Sequence, residues 1–222
     1  MTIPRSPSDQ MSMNIPQAVV FDLGKVLVDF DYRITVRRIL SRCKTTASAL
    51  ERLINQSPLL LRYETGLLTT QQFLDEVKAA AGFTGDLAEF SELFGNIFSP
   101  IEPMIQLHAE LRARGVPTYI LSNTNELAIR DIRGRFPFFQ HFDGYVFSYE
   151  HGALKPEARI YEVVERLSGR RGAEILYLDD RPENVQGGAT RGWRAILHEA
   201  PDKTRAAVRE TGLLGDGLHI PT

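Results

Sequence analysis

The feature that most constrains this chain is a short apolar run that recurs and halts at polar residues. Ala18-Val19-Val20-Phe21 stops at Asp22, Val116 to Leu121 stops at Ser122-Asn123, and Ile175-Leu176-Tyr177-Leu178 stops at Asp179-Asp180. Gly144 to Ser148 and Trp193 to Leu197 are two further runs of the same kind. Runs this short, bounded by turn residues, suit strands buried on both faces. Helical patterns fill the intervals, over about 101–114, 125–135, 156–169 and 182–191. Gly115 stands where a helix C-cap belongs, and Pro156 and Pro182 stand where a first helical turn accepts proline. Strands alternating with helices of this length predict an α/β fold with a doubly wound, Rossmann-like parallel sheet.

One connection breaks the alternation. Between the first run and Val116, residues 32–96 read as several helices with no convincing strand, for example Ile34–Arg42, Thr46–Asn55 and Thr70–Ala80. Thr69 or Thr70 can cap the last of these, and Gly82 lies just past its end. The expected organisation is therefore a core of residues 15–31 and 97–222, a helical cap at 32–96, and a loose polar extension at 1–14 in which Met11 and Met13 are alternative starts.

Composition narrows the classes of function. A chain of 222 residues is long enough for one large domain or one domain with an insertion. Twenty-six basic against 28 acidic side chains leave a net charge of −2, with no drive toward nucleic acid or anionic membrane. Cys43 is the single cysteine, which excludes an intrachain disulfide and a multi-cysteine zinc site. No apolar stretch is long enough to span a bilayer, and the N-terminus lacks the apolar stretch of a secretory signal. The expectation is a cytoplasmic protein, monomer or homodimer.

In open α/β sheets, sites form at the carboxyl ends of strands, and here three of those ends carry polar residues. Each has a plain alternative. Asp22 can cap or turn, Ser122-Asn123 is an ordinary turn pair, and Asp180 can cap a helix whose first turn holds Pro182. Their convergence on one edge is harder to explain that way. Two carboxylates ~4 Å apart repel by about 4 kcal/mol at an effective dielectric of 20, and a hard divalent cation such as Mg²⁺ relieves the repulsion. Lys155, in the loop after the third run, lies at the same edge and can complete an anion site. No Gly-x-Ser-x-Gly turn makes Ser122 a hydrolase nucleophile, and no Gly-x-Gly-x-x-Gly follows the first strand. The inserted helices and the length disfavour a response-regulator receiver. His151, near the same loop, reads as a loop residue.

These strings together resemble the haloacid dehalogenase superfamily, in its phosphatase-like branch with a helical cap after strand 1. Val20-Phe21-Asp22-Leu23-Gly24-Lys25-Val26-Leu27-Val28 is similar to its first motif and Leu121-Ser122-Asn123-Thr124-Asn125 to its second. Lys155-Pro156-Glu157-Ala158-Arg159-Ile160-Tyr161 is similar to the third, and Leu178-Asp179-Asp180 with Asn184 to the fourth. The second and third strings look nearest to bacterial sugar-phosphate phosphatases of the α-glucose-1-phosphatase type. The resemblance implies a Mg²⁺-dependent phosphatase of a small phosphorylated metabolite such as a sugar phosphate. Asp22 would be the nucleophile, forming an aspartyl-phosphate. Asp22, the Gly24 carbonyl and Asp180 would bind Mg²⁺, and Asp179 would hold a metal-bound water or act from behind the ligands. Asn184 stands where relatives sometimes place another carboxylate. Ser122, the Asn123 backbone and Lys155 would grip the phosphoryl group.

One departure matters. Phosphatases of this superfamily usually carry a second Asp two residues after the nucleophile, where this chain has Gly24, and loss of a general acid/base costs ~10²–10⁴-fold. Three substitutes are open: a good leaving group, Glu64 of the cap, or Asp29 or Asp31 just after the motif. The Arg62-Tyr63-Glu64-Thr65-Gly66 segment lies between cap helices; the resemblance implies that it faces the site and influences substrate choice, and the plain alternative is an interhelical turn. Two rival readings stand beside the phosphatase: a metal-free 2-haloacid dehalogenase, and a phosphate- or partner-binding module left without turnover by Gly24.

Overall fold

The computed structural model describes residues 15–55 and 57–215. The extension expected at 1–14 lies outside them. The chain begins with β1 (Ala18–Phe21) and β2 (Val28–Phe30). Five helices follow: α1 (Tyr32–Leu40), α2 (Ala47–Asn55), α3 (Pro58–Glu64), α4 (Thr70–Ala81) and α5 (Leu87–Phe94). Then come β3 (Phe98–Pro100), α6 (Glu102–Ala113), β4 (Thr118–Ser122), α7 (Glu126–Arg135), β5 (Gly144–Phe147) and the short α8 (Ser148–His151). The chain closes with α9 (Ala158–Ser168), β6 (Ile175–Asp179), α10 (Pro182–Thr190), β7 (Arg194–Leu197) and α11 (Pro201–Glu210).

The five parallel strands form one sheet in the order β5-β4-β1-β6-β7. This is the doubly wound topology that the apolar runs predict, with β1 at the centre. Alternate residues feed opposite faces. Val19 and Phe21 join Ile120, Leu176 and Leu178 on one side, and Ala18 and Val20 join Leu121, Tyr177 and Trp193 on the other. Register fixes the site. Phe21 pairs with Ile120 on β4 and with Leu178 on β6, so Asp22 stands level with Asp179 at the carboxyl edge.

Between Tyr32 and Phe94 the helices gather their own apolar cluster, centred on Ile39, Leu50, Phe73, Leu74, Phe90 and Phe94. Helix α4 starts on a reciprocal capping box between Thr69 and Gln72 and ends at a left-handed Gly82. Two helices here are absent from the sequence reading, α3 and α5. A two-stranded antiparallel ribbon is absent as well: β2 and β3 pair Val28 with Pro100 and Phe30 with Phe98, at the two points where the chain leaves and rejoins the sheet. Helix α11 is a further addition.

Two local expectations are corrected. Pro156 is not in a first helical turn, because α9 begins at Ala158 with Glu157 as its N-cap. The 62–66 segment is not an interhelical turn in full, because Arg62 to Glu64 complete α3 and only Thr65 and Gly66 turn. No helix among the described residues is long and apolar enough to cross a membrane.

Candidate active site

A cavity of about 330 Å³ opens at the carboxyl edge of the sheet, beneath α1 and α3. Its lining includes Asp22, Gly24, Ser122, Asn123, Lys155, Asp180, Asn184 and Glu64. Asp179 lies directly behind, fully buried. The strand ends, the loop after α8 and the end of α3 thus converge on one space, within the size range of small-ligand pockets.

The floor is cross-braced. Lys155 Nζ sits 2.9 Å from Asp22 Oδ1 and 2.6 Å from Asp179 Oδ2, and it also donates to the Leu121 carbonyl at 3.0 Å. Asp179 Oδ2 accepts in addition from the Tyr177 hydroxyl at 2.5 Å. Asp179 Oδ1 accepts from the Arg181 N–H at 2.9 Å and from Asn184 Nδ2 at 3.0 Å. A carboxylate offers about four acceptor positions, so those of Asp179 are all used within the protein. Asn123 ties the second loop to the third: its Oδ1 accepts from the Lys155 N–H at 2.8 Å and its Nδ2 donates to the Lys155 carbonyl at 3.0 Å. Its side chain therefore has a bracing task that the sequence reading, which used only its backbone, does not contain.

Asp180 does not cap α10. Arg181 holds the N-cap position, with no side-chain cap bond, and Pro182 opens the helix. The plain alternative for Asp180 thereby falls away, and its carboxylate faces the shared cavity. One oxygen from each of Asp22, Asp179 and Asp180 lies within 4.8 Å of the others. With the acceptor positions of Asp179 already filled, the acidic oxygens open to a hard divalent cation are those of Asp22 and Asp180, with Asp179 behind them.

The electrostatics agree with that crowding. Burial pushes the Asp22 carboxyl up to about 7; Lys155 pulls it down, while Asp179 and Asp180 push it further up. Asp180 is raised by burial and by Asp179. Asp179, despite its burial, is held below the ordinary carboxylate range by Lys155 and its other donors. Burial opposes the Lys155 charge, yet Asp22 and Asp179 keep it firmly protonated. The negative charge left over at this edge belongs to Asp22 and Asp180.

Gly24 is explained by a residue that the sequence reading passed over. A Cβ on Gly24 would lie 2.8 Å from Cε1 of Phe30, so the ring on β2 fills the space a side chain would need. Asp29 and Asp31 are both occupied elsewhere. Asp29 pairs with Lys25 and accepts from the Phe30 N–H. Asp31 caps α1 through the Arg33 N–H at 2.9 Å. Those bonds hold both carboxyls below the ordinary range.

The roof is seated on the core by polar contacts that nothing in the sequence signals. Ser148 Oγ accepts from the Thr124 N–H at 2.9 Å and donates to the Glu64 carbonyl at 2.6 Å. The Tyr63 hydroxyl contacts Thr70 Oγ1 at 2.8 Å and accepts from the Leu127 N–H at 3.3 Å. Gly66, at φ 72, approaches Tyr149 so closely that a Cβ would meet its carbonyl oxygen at 2.1 Å. His151 is not among the residues lining the cavity.

A sheet of this order, a helical insertion after its first strand and an acidic edge opposed by one buried lysine define a class of hydrolase. The family model described as haloacid dehalogenase-like hydrolase matches residues 16–192, and the chain belongs to that family. Among relatives, it is 27% identical over 217 residues to acyl-CoA dehydrogenase family member 10 of Mus musculus, covering 92% of this chain but spanning only 20% of the mouse protein. It is 24% identical over 189 residues to a D-ribitol-5-phosphate phosphatase of Bacteroides thetaiotaomicron, covering 82% of this chain and 91% of that one. Among solved structures, a haloacid dehalogenase family enzyme from the same bacterium, crystallised with magnesium and inorganic phosphate, superposes with a TM-score of 0.71. That match has 22% identity and covers 83% of this chain and 95% of the other.

Proposed function

We propose that the chain hydrolyses phosphate monoesters of small metabolites, with sugar or polyol phosphates as the preferred class, through a phosphorylated Asp22. One observation carries the reading: a buried carboxylate, Asp22, lies 2.9 Å from a buried ammonium, Lys155, on the floor of a ligand-sized cavity. The pair places a nucleophile beside a group that neutralises an anion. The named activity of the Bacteroides relative supports the substrate class. So do the polar groups on the cavity wall, Glu64, Lys25 and Arg181.

In this mechanism an Asp22 carboxylate oxygen attacks phosphorus and the ester P–O bond breaks, leaving an acyl phosphate. Lys155, the Ser122 hydroxyl and the Asn123 N–H hold the phosphoryl oxygens. Water then attacks phosphorus and returns Asp22 as the carboxylate. When bound, Mg²⁺ held by Asp22, Asp180 and the Gly24 carbonyl would keep Asp22 ionised and neutralise phosphoryl charge. Asp179 acts from behind by orienting Lys155 and Asn184. A metal-free dehalogenase gains nothing from the extra charge of Asp180, which argues against that rival.

The test is release of p-nitrophenol from p-nitrophenyl phosphate. Activity is expected with Mg²⁺, a fall to background with EDTA, and a loss of several orders of magnitude in Asp22→Asn. Turnover surviving EDTA, or a fully active Asp22→Asn variant, would overturn the reading.

A further inference from the structure

Position 24 carries no proton donor, and the structure assigns that task elsewhere. We propose that Glu64, on the cap, delivers a proton to the departing alcohol oxygen and then takes one from the attacking water. The inference rests on the phosphatase reading above and adds a residue to it.

Three observations lead there. First, the place of the usual acid is filled, since the Phe30 ring stands 2.8 Å from where a Cβ on Gly24 would be. Restoring a side chain there requires moving that ring. Second, among the described residues that line the cavity, the carboxyls are those of Asp22, Asp180 and Glu64. The first is the nucleophile and the second belongs to the acidic edge. Lys25 is paired with Asp29, and Lys155 is locked between Asp22 and Asp179. The Tyr32 hydroxyl is driven far above neutrality by burial. Asp29 and Asp31 are engaged in ion pairs and capping. Glu64 is left with no ion pair or side-chain hydrogen bond in the described structure.

Third, Glu64 is held in place by the phosphate loop itself. Its carbonyl accepts from Ser148 Oγ, which in turn accepts from the Thr124 N–H, two residues after Ser122. The next turn is pinned as well, through the Thr65 N–H to the Leu61 carbonyl and through Gly66 against Tyr149. A residue at the end of α3 thus has its backbone fixed relative to the loop that would hold the phosphoryl group. Its surroundings suit an acid that works near neutrality. Burial raises the carboxyl to about 7, with Arg181 pulling it down. Tyr32 lies on the cap side, and Asp31, Arg33 and Glu51 line the adjoining cleft.

The steps balance. As the bond from Asp22 to phosphorus forms and the ester bond breaks, the Glu64 proton passes to the leaving oxygen, giving the free alcohol and a Glu64 carboxylate. As water attacks phosphorus and the Asp22–phosphorus bond breaks, one water proton returns to Glu64, and inorganic phosphate leaves.

The test compares wild type, Asp22→Asn and Glu64→Gln on p-nitrophenyl phosphate and on an alkyl phosphate such as glycerol 2-phosphate. p-Nitrophenolate departs without a proton, so Glu64→Gln should release a burst of about one equivalent of p-nitrophenol per enzyme and then turn over slowly. On the alkyl phosphate the variant should lose ~10²–10⁴-fold with no burst. It should also lose the fall in rate that the wild type shows above pH about 7. Equal losses on both substrates without a burst, or a change confined to KM, would overturn the role of Glu64 while leaving the phosphatase reading intact. A wild type with no phosphate release, or an unimpaired Asp22→Asn, would instead sink the reading beneath it. Thermal melting of Glu64→Gln shows that any loss is not misfolding.

Discussion

The floor and the roof of the cavity are built on different principles. On the floor, Lys155 and Asp179 are buried and nearly every polar atom has a partner, so the geometry is over-determined. On the roof, Phe30, Tyr32, Leu61 and Glu64 line the same space, and position comes from a few hydroxyl anchors, Ser148 Oγ to the Glu64 carbonyl and the Tyr63 hydroxyl to the Leu127 N–H, with Gly66 packed close against Tyr149. In the proposed reaction the floor would hold charges that must not move while phosphorus changes partners. In the same proposal the roof would carry what has to suit a particular alcohol. Stability and specificity are thus assigned to opposite walls.

The comparison breaks most visibly at Lys155. Lys155→Met removes the counter-charge of two buried carboxylates, and breaking a buried pair costs about 3–5 kcal/mol. Urea unfolding should show a loss of that order along with loss of activity; a change below about 1 kcal/mol would mean that the floor is not held by this brace. Next is Gly24→Asp. The added side chain must displace the Phe30 ring, at a cost of about 1–3 kcal/mol. Adding Phe30→Ala should return part of that loss, giving a measurable coupling energy; strictly additive losses would remove the ring from the explanation. The smallest effect is on the roof. The folded chain raises the Glu64 carboxyl from 4.5 to about 7, so it favours the protonated form. That contribution is complete below about pH 4.5 and is lost as pH rises through 7. Glu64→Gln should therefore melt like the wild type at pH 4.5 and a few degrees higher at pH 8. An identical difference at both pH values would show that Glu64 is not buried as a neutral acid.

Legibility in the sequence divides along the same line. Asp22, Ser122, Asp179 and Asp180 can be read because each ends an apolar run, and a parallel sheet aligns the ends of its strands. Lys155 follows from a loop at the same edge. The β2–β3 ribbon cannot be read this way. Val28-Asp29-Phe30 and Phe98-Ser99-Pro100 are three residues each, lie on either side of the whole helical insertion, and the second contains a proline. Without that ribbon, the sequence gives no reason to place the Phe30 ring over Gly24. Two missed helices did leave signals: Ser57 before Pro58 for α3, and Asp86 with Phe90 and Phe94 for α5. Ser148 and Tyr177 left none, since a single hydroxyl in or beside a buried strand has no period.

The Ser148 hydroxyl has a consequence for how the enzyme would open. It is fully buried and bonded at once to the loop after β4 and to the last carbonyl of α3. Swinging the helices away strands the Glu64 carbonyl, while the hydroxyl can turn to the Thr124 carbonyl 3.1 Å away, so the loss is that of one acceptor's bond, on the order of 1 kcal/mol. Admission of a substrate and tautness of its anion cradle are therefore mechanically linked. In the proposed enzyme, a ligand that tightened the cradle would also draw the cap inward, and a departing product would loosen both together.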